Sequence, residues 1–464
     1  MSLLDREHTI APPGFNRWLI PPAALAVHLS IGQAYASSVY KTALVTHFDV
    51  SLTQIGVIFS IAIVMLGLSA AVMGTWVDRS GPRKAMFVSA LFWSSGFLIG
   101  SLGIFSNQLW LVYLGYGFIG GIGLGIGYIS PVSTLIKWFP DRPGLATGMA
   151  IMGFGGGALI ASPVSTGLLS FYDPNSGVTG WVASGDAVGK LFLTLGLVYL
   201  AFMMFGAFTI RVPAVGWKPA GFDPATVKVK ALVTSNHVSA ASAIKTRQFW
   251  LVWIVLFCNV TAGIGILEQA APMIQDFFRQ PDGQSMVTAA VAGGFVGLLS
   301  IANMGGRFVW SSLSDVTGRK NIYMIYLGVG MALYLLLALV GSSTTVVYVT
   351  LAFIIISFYG GGFATAPAYL RDLFGTFQVG AIHGRLLTAW AAAGIAGPLI
   401  VNGFLDAQGA PGELTAAAYQ PALLTMVGLL VVGFIANLLV RPVHTTFHEP
   451  PTSRSEDLKI TAEV

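Results

Sequence analysis

Long apolar stretches separated by short polar segments repeat along the whole chain. A helix needs about 20 mostly apolar residues to cross roughly 30 Å of hydrocarbon. A window of that length finds twelve candidates, called spans 1 to 12 below, which begin near residues 18, 53, 84, 108, 143, 188, 248, 286, 321, 345, 380 and 419. The first is too long, and too poor in a small-residue cleavage site, for a removable signal peptide. The pattern therefore predicts an all-α membrane protein with twelve transmembrane helices.

Composition supports this prediction, because 55% of the residues are hydrophobic and only 9% are charged. Such values are typical of a polytopic membrane protein and exclude a soluble domain. The single cysteine, Cys258, falls in a predicted span, so no internal disulfide can form.

The basic residues set the orientation, since short cytoplasmic loops retain lysine and arginine. With the N-terminus inside, 20 of the 24 lie on the cytoplasmic side, and only Lys41, Lys190 and Arg279 lie outside. We therefore predict a multi-pass protein of the cell (inner) membrane with both termini cytoplasmic. The net charge of +5 reflects this topology and gives no reason to expect nucleic-acid binding.

The chain is also duplicated. Residues 74–84, after span 2, and residues 311–320, after span 8, share an aspartate followed by glycine and basic residues. Their aspartates, Asp78 and Asp315, are 237 residues apart. Repeats of this kind indicate two pseudo-symmetric six-helix bundles.

The duplication divides the chain into five parts. We predict a cytoplasmic N-terminal tail (1–17), an N-terminal bundle (18–211), a polar cytoplasmic linker (212–246), a C-terminal bundle (247–441) and a polar cytoplasmic tail (442–464), whose end is expected to be disordered.

A duplicated twelve-helix chain with this loop motif resembles the major facilitator superfamily. The resemblance implies that the two halves rock about a central site near the midplane. Asp78 is expected to accept hydrogen bonds from a helix N-terminus across the domain boundary, while Arg79 and Arg83 pair with nearby acids or lipid phosphates. Asp315 and Arg319 take the equivalent places after span 8. The alternative for both motifs is an ordinary charged loop that only fixes topology.

Within the superfamily, four stretches resemble the oxalate:formate antiporter family and its monocarboxylate-transporter relatives. They are residues 121–131 in span 4, 303–310 in span 8, 359–367 in span 10 and 386–398 in span 11. The resemblance implies a secondary transporter of small organic anions.

Arg307 is the one basic residue inside an apolar span. Eight residues separate it from Asp315, which places it about 12 Å from the cytoplasmic end of span 8. A lone guanidinium there costs at least about 2.5 kcal/mol and needs compensation. Because arginine stays charged and can clamp a carboxylate through two hydrogen bonds, a small organic anion is a suitable partner. A permanent ion pair with a buried acid is the alternative, with Glu268 in the outer half of span 7 as the nearest candidate.

Asn303 lies one helical turn from Arg307 on the same face, so its amide could reach the same anion. By resemblance, Tyr128 and Tyr359 close over the substrate from spans 4 and 10, and Gln33 and Tyr35 in span 1 have a weaker case. As isolated residues in spans they would more often be packing residues.

One departure from the family pattern bears on the substrate. Where dicarboxylate-handling members have a lysine in span 11, the counterpart here is Trp390. One cation beside a bulky aromatic favours a monoanion such as formate, lactate or pyruvate, with oxalate as the alternative.

The sequence leaves the energy source open. Uniport or anion exchange needs no titrating residue, whereas proton symport does. Glu268, His28 and His383 are the candidates, although a histidine in a span is more often a hydrogen-bonded packing residue.

The remaining motifs in the sequence do not indicate a catalytic or cofactor-binding site. The glycine-rich residues 153–158 imitate a dinucleotide fingerprint, but they lie in a span with no preceding strand, so close helix packing explains them. The sequence shows no phosphate-binding loop, no metal-ligand cluster and no nucleophile triad, so we expect neither an enzyme nor a cofactor. The expected partners of a monomer are the lipid bilayer and the anion, together with protons if transport is proton symport. A nontransporting sensor with the transporter fold is the other alternative.

Overall fold

The computed structural model describes residues 3–50, 52–174, 183–222, 232–234, 236–281, 283, 285–287, 289–408 and 414–449. Within these ranges the chain is organised as the twelve predicted helical spans, joined by short loops. The fold class predicted from the sequence is confirmed.

The spans of the N-terminal bundle have the following bounds. They are span 1 (helices Ile20–Ile31 and Ser38–Phe48 joined by a 3₁₀ turn, Gly32–Ala36), span 2 (Leu52–Ser80), span 3 (Pro82–Phe105), span 4 (Leu109–Trp138, with a π-helical stretch at Tyr113–Gly120), span 5 (Pro143–Tyr172) and span 6 (Gly185–Thr209).

The C-terminal bundle repeats this order. It contains span 7 (Arg247–Glu268 and Ala270–Phe277), span 8 (Ala289–Thr317), span 9 (Arg319–Val340), span 10 (Thr345–Phe374), span 11 (Val379–Leu386 and Thr388–Asp406) and span 12 (Ala416–Leu439). Short helices occur at Arg6–Thr9, Arg17–Leu19, Ala240–Ala243 and Thr445–Phe447.

Ten helices among the described residues are long and apolar enough to cross a membrane. Span 1 is divided by its 3₁₀ turn, at a point where the backbone of span 5 comes very close. A Cβ on Gly157 would lie 2.6 Å from the Cα of Gly32, so side chains larger than hydrogen do not fit here. Span 7 is interrupted at Gln269, the position that the duplication pairs with Gly32.

The two bundles meet along two pairs of spans, 2 with 11 and 5 with 8, which the duplication relates to each other. Glycines allow the helices to approach closely: a Cβ on Gly148 of span 5 would collide with the hydroxyl of Ser311 in span 8. Packing through small residues is the usual basis of helix association in a membrane.

The N-terminal segment packs against one end of the bundles, called the tail side below. Ala11 N donates to the Val212 carbonyl at 2.9 Å, and Arg17 forms a bidentate pair with Asp141 at 2.6 and 2.9 Å. The described parts of the predicted linker also pack on this side, where Val238 N donates to the carbonyl of Phe374 at 2.9 Å. Residues 223–231 and 235 of the linker and 450–464 of the C-terminal tail lie outside the described residues.

Candidate functional site

Arg307 is fully buried where the two bundles meet. Its Nε donates to Oδ1 of Asn303 at 3.0 Å, one turn earlier in span 8, and its Nη1 donates to the Ile151 carbonyl of span 5 at 3.2 Å. Nη2 is buried without a hydrogen-bond partner in the part of the chain that the structure describes. The guanidinium is therefore held by residues of both bundles through Nε and Nη1.

Among the described residues, no carboxylate forms an ion pair with Arg307. Glu268, the acid considered from the sequence, is the last residue of the first helix of span 7, and its side chain lies outside the described residues. The buried charge thus lacks an acidic partner within the described part of the protein.

Aromatic rings surround the guanidinium. Its Cζ lies 5.7 Å from the ring centre of Phe154 and 5.3 Å from that of Phe363, distances typical of cation–π contacts. Trp390 packs edge-on against both phenylalanines at 5.4 and 4.6 Å, and Tyr128 lies 5.5 Å from Trp390. These four rings, Phe154, Phe363, Trp390 and Tyr128, are called the aromatic box.

Tyr128 also faces Arg307 with its hydroxyl, which is buried without a hydrogen-bond partner among the described residues. Both residues lie ten positions before the tail-side ends of their spans, Trp138 and Thr317, which is a depth of about 15 Å. Two polar groups that lack partners thus lie side by side at one level, in spans 4 and 8.

Tyr35 and Tyr359 form a second contact between the bundles, with their hydroxyls 3.4 Å apart. Tyr359 lies about 22 Å from the tail-side end of span 10, deeper than Arg307. Tyr35 is also within electrostatic reach of Arg307. Tyr35 packs edge-on against Phe154 at 5.1 Å and Tyr359 against Phe363 at 5.2 Å, so this pair adjoins the aromatic box.

His28 and His383 both pack against Tyr128. The His28 ring stacks on it at 5.3 Å, with Nε2 at 3.1 Å from the Tyr128 carbonyl, and the His383 ring centre lies 5.9 Å away. Nδ1 of each histidine is buried with no hydrogen-bond partner within the described ranges.

Gln33 has a different environment. Its amide donates to the Tyr40 hydroxyl at 3.0 Å and accepts from the Tyr116 hydroxyl at 3.1 Å, all within the N-terminal bundle. Both ends of the side chain are therefore occupied by packing interactions, unlike the free groups around Arg307.

The loop motifs hold the bundles together on the tail side. Oδ2 of Asp78 accepts from Ala381 N at 2.8 Å, in the first turn of span 11. Asp315 accepts from Gly144 N at 2.8 Å and from Leu145 N at 2.9 Å, in the first turn of span 5. Both carboxylates thus make the helix N-terminus contacts expected of this motif.

The basic residues of the two motifs behave differently from each other. Arg319 donates to Asp315 at 2.7 Å and lies 3.3 Å from Asp372, so it belongs to a charged cluster. Arg83, expected to pair with an acid or a lipid phosphate, contacts backbone carbonyls in the described part of the chain. It is buried and donates to the carbonyls of Leu3 at 2.9 Å and Phe208 at 3.4 Å, since the N-terminal segment folds over it. Arg79 is exposed at the end of span 2.

Sequence reasoning missed Phe154, Phe363 and Gly155. A Cβ on Gly155 would lie 3.1 Å from Nε and 3.2 Å from Cδ of Arg307, so this glycine makes room for the arginine. The glycine-rich stretch was rightly attributed to close packing, but part of that packing is against the charged side chain. Phe363 follows Tyr359 by one helical turn, which is the signal that could have identified it.

Comparisons with known proteins show which family the chain belongs to. A 384-residue alignment with the oxalate:formate antiporter of Oxalobacter formigenes gives 25% identity and covers 82% of this chain and 83% of that protein. The apicoplast pyruvate carrier 1 of Toxoplasma gondii is 24% identical over 396 residues, covering 75% of this chain and 69% of the carrier.

Among solved structures, the transporter FucP in its outward conformation superposes on this chain with a TM-score of 0.66 at 15% identity. The superposition covers 92% of this chain and all of FucP, and it supports the fold. The family model of the Major Facilitator Superfamily matches residues 23–398. The proteins of this family are multi-pass membrane transporters and not enzymes, and the chain belongs to the Major Facilitator Superfamily.

Proposed function

We propose that the protein moves a small organic carboxylate across the cell membrane by alternating access, with the carboxylate bound between Arg307 and Tyr128. A monocarboxylate such as formate, lactate or pyruvate is the favoured substrate. The tail side is the cytoplasmic side in this proposal, because the basic residues are concentrated there. All the proposed contacts come from one chain, so a monomer suffices.

One observation carries the proposal: Nη2 of Arg307 and the hydroxyl of Tyr128, neither of which has a hydrogen-bond partner among the described residues, lie together in a buried site. An unpaired buried donor costs about 1–3 kcal/mol, and more when it is charged. A carboxylate placed between them would accept from both through its two oxygens and neutralise the guanidinium.

The residues that line the site favour a small monoanion as the substrate. The box formed by Phe154, Phe363, Trp390 and Tyr128 offers apolar surface and little hydrogen bonding to a second carboxylate. Asn303 uses its Oδ1 to hold the guanidinium in place and thereby positions the binding group. The names of two relatives, an oxalate:formate antiporter and a pyruvate carrier, each include a carboxylate. This supports a carboxylate as the class of anion.

Alternating access needs closure on each side of the site in turn. On the tail side, Asp78 and Asp315 bind the first turns of spans 11 and 5, which lie in the opposite bundles. On the other side, the Tyr35–Tyr359 contact is the corresponding closure. We propose that the contacts of Asp78 and Asp315 break when the protein opens to the cytoplasm. The Tyr35–Tyr359 contact breaks when the protein opens to the outside.

Counterflow into proteoliposomes tests the proposal. Vesicles loaded with unlabelled formate, L-lactate, pyruvate or oxalate should take up the matching labelled anion, with a monocarboxylate preferred. Arg307→Lys should abolish this uptake, because an ammonium lacks the fixed planar geometry. Arg279→Lys is the matched control, since Arg279 is a partly buried arginine paired with Asp276 away from the site.

Parental uptake by Arg307→Lys with unchanged selectivity would refute the assignment of the arginine. Preference for oxalate over all three monocarboxylates would instead identify a dicarboxylate exchanger. If the wild-type protein takes up none of the four anions, the proposed function is wrong, and a nontransporting sensor becomes the better interpretation.

A further inference from the structure

We infer that Nδ1 of His28 is a proton-binding site that is filled together with the carboxylate, so that anion and proton cross the membrane together. The inference rests on the proposed function, because it assigns a role to a group beside the same site. It selects one of the three titratable residues considered from the sequence.

The hydrogen bonding of His28 determines which nitrogen is basic. A backbone carbonyl only accepts, so Nε2, at 3.1 Å from the Tyr128 carbonyl, carries the hydrogen of the neutral ring. The lone pair is therefore on Nδ1, which is fully buried with no partner among the described residues. The Ala150 and Gly127 carbonyls also face the ring and could accept hydrogen bonds from an imidazolium.

Arg307 opposes the binding of this proton, in addition to the desolvation cost of charging a fully buried ring. It lies within electrostatic reach of His28, and two positive charges in a buried site repel each other strongly. A carboxylate bound to Arg307 would remove that repulsion, so the anion should favour the proton and, by linkage, the proton should favour the anion. Together they carry no net charge.

The groups around His28 are few. Tyr128 of span 4 stacks on its ring, and His383 of span 11 lies within electrostatic reach from the other bundle. Span 5 contains no charged residue, and the charged residues of span 6, Asp186 and Lys190, pair with each other near its start. Arg307 is therefore the charge that dominates the surroundings of His28.

His28→Gln tests this inference, because glutamine can keep donating to the Tyr128 carbonyl but cannot titrate. An inward proton gradient should drive wild-type vesicles to accumulate labelled L-lactate. The variant should lose this accumulation, whereas counterflow at equal pH on both sides should remain measurable. His47→Gln is the matched control, since His47 also bonds a carbonyl, that of Ile104 at 2.8 Å, and lies in the last turn of span 1.

Several results would overturn the inference while leaving the proposed function intact. These are wild-type counterflow without any response to a proton gradient, gradient-driven accumulation by His28→Gln at the wild-type level, or loss of accumulation in His383→Gln but not in His28→Gln. Absence of wild-type counterflow with all four anions would instead refute the proposed function itself.

A second measurement avoids any dependence on the folding of the variant. When L-lactate is added to purified wild-type protein in weakly buffered detergent solution, the protein should take up protons as the anion binds. A pH-indicator dye reports this uptake. Binding of the anion with no proton uptake would overturn the inference.

Discussion

The free Nη2 of Arg307 and the hydroxyl of Tyr128 face each other at the same depth from opposite bundles, and neither has a hydrogen-bond partner among the described residues. Each group lacks only an acceptor, and a carboxylate supplies two. Because the two residues belong to different bundles, an anion that bonds both also links the bundles. Substrate binding and bundle closure are thereby expected to be coupled.

Tyr128→Phe removes one of these two donors and leaves the ring in the aromatic box. Loss of a hydrogen bond to a charged group costs about 1.5–3 kcal/mol, which corresponds to a roughly tenfold to hundredfold weaker affinity. The half-saturation concentration of L-lactate counterflow measures this change. Tyr334→Phe is the control, since its buried hydroxyl also has no hydrogen-bond partner in the described residues but lies in span 9. Equal effects of the two changes would contradict the role of Tyr128.

Gly155→Ala should weaken transport by displacing the arginine. The added methyl group would lie 3.1 Å from Nε of Arg307, so the side chain must shift by a few tenths of an ångström. Because binding depends on the placement of the free nitrogen, we expect about a tenfold loss of uptake. Gly167→Ala in the same span meets open space and should be neutral. Unchanged transport by Gly155→Ala would show that the position of the guanidinium is not critical.

The sequence was sufficient for the fold class, because the length of the hydrophobic stretches and the duplication both report on it directly. It also located Arg307, since a charge in a span stands out from its neighbours. The phenylalanines of the box could not be distinguished among the 30 in the chain, because an apolar ring has the same pattern whether it faces lipid, core or substrate. The partners of Arg83 were missed because they are backbone carbonyls brought there by the folded N-terminal segment.

Trp390→Lys should shift selectivity toward dicarboxylates. Trp390 contacts three other members of the aromatic box, and a lysine there would place a second cation beside the substrate. We expect the ratio of oxalate to formate uptake to rise about tenfold or more. Two opposite charges about 4 Å apart attract each other by about 4 kcal/mol near a protein surface. Trp390→Phe controls for the loss of the indole. A lower ratio of oxalate to formate uptake in Trp390→Lys would contradict the proposed effect of this position on selectivity.

The two tail-side contacts differ in strength. Asp315 accepts two backbone hydrogen bonds and pairs with Arg319, whereas Asp78 accepts one, from Ala381. Asp315→Asn should therefore open the tail side more than Asp78→Asn does. The two variants can be compared by the rate of maleimide labelling at Ser133→Cys, a buried position beside span 11, in a Cys258→Ser background.

Asp186→Asn is the control for this comparison, because its ion pair with Lys190 is exposed and lies in span 6. Labelling that rises more in Asp78→Asn than in Asp315→Asn would contradict the ranking of the two contacts.

Equilibrium binding of labelled L-lactate to the purified protein tests most directly whether Arg307 holds the carboxylate. The wild-type protein should bind the label and release it to unlabelled formate, pyruvate or lactate, but not to the neutral amide of lactate. Arg307→Lys should lower the affinity at least about tenfold while the protein keeps its thermal stability, because one charge-assisted contact is lost. Equal affinity of the two proteins for L-lactate would contradict the claim that Arg307 holds the carboxylate. So would competition by the amide equal to that of unlabelled lactate.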